Sequence, residues 1–109
     1  MNIIIKATNI ELKHDLEEWV KIRLEPLERF DKFLQEKDVE VWVELGKTTK
    51  GQRKGDIFRA EAQIRLPGKS IRAEAVSNNV RKSINELRDK LQREVVQYKE
   101  QREKKIPNS

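Results

Sequence analysis

Residues 58–75 read FRAEAQIRLPGKSIRAEA. Phe58, Ala60, Ala62, Ile64 and Leu66 alternate with Arg59, Glu61, Gln63 and Arg65. After Pro67-Gly68, Ile71, Ala73 and Ala75 alternate with Arg72 and Glu74. A period of two is that of a strand with one buried face. Pro-Gly between two such runs is a tight-turn signal. The stretch is therefore predicted to be an antiparallel hairpin with one apolar face. Arg-Ala-Glu-Ala occurs twice, at 59–62 and 72–75. Two adjacent strands with the same inside-and-outside pattern explain this more cheaply than a duplication.

Upstream, Val39, Val41, Val43 and Leu45 alternate with Glu40, Trp42 and Glu44, which predicts a third strand. Between it and the hairpin, Gly46–Asp56 holds three glycines and four cations and reads as a basic loop. Asn2–Ala7, with three isoleucines, reads as the first strand. Asn9 is expected to cap a helix whose Leu12, Leu16, Trp19, Val20, Leu27, Phe30 and Leu34 share a face. Pro26 lacks a backbone donor and should kink or break that helix near Leu24–Pro26. Downstream, Ser77 or Asn78 is expected to cap a long helix. Its Val80, Ile84, Leu87, Leu91, Val95 and Tyr98 step by three or four. The order is βαβββα, an α+β fold. The last three strands should be antiparallel, and both helices should cover the apolar face of a four-stranded sheet.

The chain has 109 residues, the size of one domain, which excludes a two-domain enzyme or a large α/β barrel. Residues 1–105 are expected to form that domain and 106–109 a disordered tail. Charged residues make up 39% against 36% hydrophobic, so the core should be thin and the surface heavily solvated. Cysteine is absent, which excludes a disulfide framework and cysteine metal sites. No apolar run approaches the length of a membrane span, and no signal peptide is evident. The expectation is a soluble cytoplasmic protein with no membrane partner.

The net charge of +5 hides a segregation. Residues 1–46 carry 7 basic and 11 acidic side chains, net −4; residues 47–109 carry 17 and 8, net +9. A basic half on a domain of pI about 9.6 points to a polyanion, most commonly RNA or DNA. On an ideal helix, Arg81, Arg88 and Lys99 fall on one flank of the second helix, with Lys82 and Arg93 farther round. Lys47, Lys50, Arg53 and Lys54 in the loop would add to that stripe if the loop curls toward the helices. Such a surface suits phosphate contacts and shape recognition more than base reading. The outward sheet face is mixed in sign with one aromatic, Trp42. Cross-strand ion pairing explains it better than base stacking does.

Catalysis finds no support. Gly46-Lys47-Thr48 invites a phosphate-loop reading, but the glycine required five residues earlier is Val41, and no helix follows. His14, the only histidine, lies among charged residues at the start of the first helix. No nucleophile set, metal cluster, cofactor site or small-molecule substrate site can be nominated.

These residues resemble the ribosome hibernation-promoting factor family, also called ribosome-associated translation inhibitor or sigma-54 modulation protein. The likeness spans about residues 2–100. It rests on the Trp19-Val20-Lys21-Ile22-Arg23-Leu24 helix, the valine-rich strand before a basic loop, and Ile71-Arg72-Ala73-Glu74. It rests also on Ile84, Lys90-Leu91 and Tyr98-Lys99 at the family's spacing. Asn79, Arg81 and Asn85 depart from the family's aspartate, tyrosine and aspartate. The resemblance implies a fold similar to a double-stranded RNA-binding domain. It implies docking on the small ribosomal subunit and its 16S-type rRNA, in the mRNA and tRNA channel, with steric inhibition of translation. Carried over by position, the RNA-binding residues would be Lys21, Arg23, Arg72, Lys90, Arg93 and Lys99, joined on physical grounds by Arg81, Lys82 and Arg88. The length resembles the family's short type, without its dimerising domain. A generic double-stranded RNA-binding module is the alternative.

Overall fold

The computed structural model describes residues 1–48 and 55–104. The elements run β1 (Asn2–Thr8), α1 (His14–Leu24), two 3-10 segments (Glu25–Phe30 and Lys32–Gln35), β2 (Glu40–Thr48), β3 (Ile57–Leu66), β4 (Lys69–Ser77) and α2 (Val80–Lys104). The predicted βαβββα order is therefore present. The sheet order is β1-β2-β3-β4. β1 pairs parallel to β2, while β2, β3 and β4 are antiparallel neighbours, so the sheet is mixed. In the hairpin Leu66 pairs with Lys69, and Gly68 takes the left-handed φ of +77° that a Pro-Gly turn asks of its glycine. The repeated tetrapeptides lie opposite each other, Ala60 against Ala75 and Ala62 against Ala73.

Strand alternation sorts the side chains. Val41, Val43 and Leu45, then Ala60, Ala62 and Ile64, then Ile71 and Ala75 are buried beneath the helices. Helix α2 adds Ile84, Leu87, Leu91, Val95 and Tyr98, the periodic set read from the sequence. From α1 come Leu16, Val20 and Leu24. Full burial of one such aliphatic side chain contributes about 1.5–3 kcal/mol.

Three sequence expectations shift, at Asn9, at the α2 cap and at residues 46–48. The first helix breaks near Pro26 as expected. Its α-helical part ends at Leu24, and the chain continues as 3-10 turns with Pro26 in the first turn, where a missing N–H leaves nothing unpaired. Glu25 keeps helical angles (φ −54°, ψ −38°), so proline tightens the chain rather than turning it away. Leu27 and Leu34 still reach the core from these turns. Asn9 does not cap α1. It has φ +59°, and its side-chain amide donates to the carbonyl of Lys47 across 3.4 Å, closing the end of β1 on β2. Lys13 occupies the cap position without a side-chain bond. The α2 cap is Asn79 rather than Ser77 or Asn78. Its Oδ1 accepts from the Arg81 and Lys82 backbone N–H groups at 2.9 and 3.2 Å. Gly46, Lys47 and Thr48, placed in the loop from sequence, extend β2. Lys50, Arg53 and Lys54, and the expected tail 106–109, lie outside the described residues. No described helix is long and apolar enough to cross a membrane.

Candidate nucleic-acid interface

The nine cations nominated on the helices and strands do not share one surface. Arg23 and Arg81 meet at the seam between α1 and α2. Their guanidinium carbons lie 4.7 and 4.8 Å from the centroid of the Trp19 ring. Stacking of this kind pre-orders a long side chain while leaving part of its donor fork available. Arg81 also makes a 3.5 Å contact with Asp15, whose side chain is largely exposed. Arg88 follows Arg81 by two turns, about 10 Å along the axis, and Lys99 continues the same flank. Arg88 contacts Asp89 at 3.1 Å, an exposed neighbour pair that competes weakly with a phosphate. Lys82 and Arg93 point farther outward and are exposed; Arg93 Nε donates to the Asp89 carbonyl across 3.4 Å.

The remaining cations stand apart. Lys90 lies on the opposite flank of α2. Its ammonium donates to the Glu74 carbonyl across 2.7 Å, so this lysine closes the outer edge of β4. On α1, Lys21 is turned away from Arg23 and pairs with Glu17 at 3.1 Å, an ordinary i,i+4 pair. Arg72 is on the open face of the sheet, with the helices on the other side, and reaches Gln63 at 3.5 Å. Lys47, at the loop end of β2, pairs with Asp56 at 3.3 Å.

The open sheet face has a different character. Glu44, Glu61 and Glu74 stand directly opposite one another across three strands, flanked by Lys6 on β1. Arg59 bridges two of them, Glu61 at 3.6 Å and Glu74 by a close ion pair. The hydrogen bond and charge of Glu74, with the charges of Glu61 and Glu44, raise the Arg59 guanidinium further above its ordinary value. Trp42 is 50% exposed here, in a shallow hollow with Ile4, Gln63 and Arg72. The cross-strand pairing predicted for this face is present. Three neighbouring carboxylates make it a poor phosphate surface.

Sequence reading placed Trp19 among core positions of the first helix and gave it no role at a surface. Its spacing of four from Arg23 was the available signal, because i,i+4 residues share a helix face. Nothing local pointed to Arg81, which approaches from 62 residues away in the chain. Among the described residues, the buried side-chain atoms without a hydrogen-bond partner belong to Trp19 (Nε1), Arg23 (Nε) and Asn85 (Oδ1). Asn85 lies one turn beyond Arg81 on α2. Each such group costs about 1–3 kcal/mol when left unpaired. The described residues contain no group of His, Asp and Glu able to hold a metal ion.

Comparison with known proteins places the chain in a family and matches its fold. No curated protein matches the chain. The solved N-terminal domain of Thermus thermophilus Protein Y matches 90% of this chain and 99% of its own, with a TM-score of 0.68 and 25% identity. A ribosomal subunit interface protein from Coxiella burnetii shares the fold, with a TM-score of 0.72 at 20% identity over 91% of this chain and 98% of its own. The family described as sigma 54 modulation protein / S30EA ribosomal protein matches residues 3–103. This family and this fold are those of non-catalytic, ribosome-associated proteins. The chain, matched over nearly its whole length, belongs to the sigma 54 modulation protein / S30EA ribosomal protein family.

Proposed function

We propose that this chain binds the small ribosomal subunit through 16S-type rRNA and occupies the channel used by mRNA and tRNA anticodon stems. An occupied channel blocks initiation sterically and keeps the ribosome inactive and protected under stress. Residues 1–105 act as one ribosome-binding domain in the cytoplasm, without cofactor, and present their helices to RNA in a manner similar to a double-stranded RNA-binding domain. The observation that carries this reading is the α2 flank of Arg81, Arg88 and Lys99 beside Arg23 of α1, in a chain of a ribosomal protein family. Lys82 and Arg93 extend the contact outward. Phosphates arranged along an RNA groove need cations spaced along one direction, and a 25-residue helix supplies that. Lys47, at the end of β2, reaches a further phosphate, and Lys50, Arg53 and Lys54 are proposed as additional RNA contacts. Lys21, Lys90 and Arg72 contribute at the margins.

Co-sedimentation with purified small subunits at stepped salt tests the proposal. Binding to small subunits that weakens steeply with salt, and that exceeds binding to an unrelated RNA duplex, supports it. Equal binding to any duplex supports a generic RNA-binding module instead.

A further inference from the structure

We infer that the seam between α1 and α2 is a binding site for one backbone phosphate of RNA, organised by Trp19. The inference rests on the RNA-binding reading above and names a site within that surface. Three side chains, Trp19, Arg23 and Arg81, meet in the seam, and Asn85 lies one turn beyond Arg81 on α2. The Trp19 indole N–H and the Arg23 Nε–H are donors without acceptors. The Arg81 guanidinium stacks on the same ring. Asn85 supplies an amide that presents either its oxygen or its NH2 by turning about one bond. The indole N–H and two guanidinium groups around one aromatic ring, with the indole N–H and one guanidinium N–H unsatisfied, match the acceptor-only chemistry of a phosphodiester. Arginine is suited to it because its planar fork can stack on the ring and still donate at its edge.

Asp15 is the opposing charge. Its exposed carboxylate holds Arg81 at 3.5 Å, a distance at which exchange for a phosphate is easy. Trp19 Nε1 and Arg23 Nε are shielded from solvent in the free protein. A phosphate therefore reaches them with a shift of the surrounding side chains, while Arg81, still stacked on the ring, exchanges Asp15 for the incoming oxyanion. Exposed Ile22, on the adjoining outer face of α1, gives the sugar an apolar surface beside the seam. Trp19 is thus a positioning residue for Arg23 and Arg81, and a donor in its own right.

The test follows the two indole N–H resonances of the intact protein by NMR. Trp42 lies on the opposite sheet face and is the internal control; Trp42→Phe assigns its signal. The probes are a short RNA duplex and inorganic phosphate alone. The expected result is that the duplex moves the Trp19 N–H downfield and slows its exchange with water, while Trp42 stays in place. Arg81→Gln should abolish the Trp19 response and weaken RNA binding about tenfold without lowering the melting midpoint. A role confined to cementing α1 on α2 would give the reverse pattern. RNA binding reported by the Lys82 and Arg93 amides with a silent Trp19 overturns the site and leaves the proposed function standing. An equal, saturable response to inorganic phosphate overturns the RNA assignment in favour of a free oxyanion site. Failure to bind either RNA or small subunits overturns both readings.

Discussion

The guanidinium of Arg102 donates to the buried carboxylate of Asp31 across 2.8 Å, joining the last turns of α2 to the 3-10 segments that follow α1. Asp31 also accepts from the Phe33 backbone N–H at 2.9 Å, and Arg102 stacks on Phe33 and Tyr98. Burial alone would lower the Arg102 pKa, but the hydrogen bonds to Asp31 and Tyr98 outweigh it, and the net shift is upward. Arg102→Ala strands a fully buried carboxylate. We expect a loss of about 2–3 kcal/mol in urea unfolding, below the full cost of breaking a buried pair because Arg102 is itself partly exposed. Asp31→Ala should cost less, since the released arginine can turn to water. Asp31→Ala with Arg102→Ala should be less damaging than the sum of the two.

A second tie holds α2 to the sheet. The Tyr98 hydroxyl donates to the Pro67 carbonyl across 2.8 Å, fixing the β3–β4 turn under the helix. Tyr98→Phe keeps the ring and removes the bond. The expected loss is about 1 kcal/mol in the same unfolding measurement.

On the open sheet face Glu61 stands between Glu44 and Glu74. Like charges directly opposite one another destabilise a sheet. Glu61→Lys places a cation between two carboxylates and should raise the urea midpoint at low salt. The gain should shrink at molar salt, where exposed charges are screened. Small-subunit binding should be unchanged, because this face lies away from the helices.

Arg72 and Arg88 were nominated together from sequence but stand on opposite sides of the sheet. Arg88→Ala should weaken small-subunit binding several-fold and reduce its salt slope by about one. Arg72→Ala should change binding less than twofold. Equal losses from the two would mean that RNA wraps the β4 edge.

How much of this was legible in the sequence depended on period. The alternation in 39–45 and 58–75 and the three-and-four stepping of 80–98 are local patterns, so the strands, their faces and α2 could be read directly. Pro26 marked the end of α1 correctly. The 3-10 path beyond it was not legible, because the apolar spacing of Leu27 and Leu34 suits either helix type over so few turns. The charge stripe on α2 was legible as a helical flank. What each cation touches was not. Lys90 on the Glu74 carbonyl, Arg81 on Trp19 and Arg102 on Asp31 are contacts across 16 to 71 residues of chain, set by how the helices lie on the sheet.

Occupation of the small-subunit channel is tested most directly by competition. The protein is co-sedimented with small subunits that are empty or already filled with mRNA and tRNA, and Arg88→Glu/Arg93→Glu is run in parallel. Binding to empty subunits, loss of that binding when the channel is filled, and strong weakening in the folded double variant are the expected results. Undiminished binding to filled subunits would contradict it.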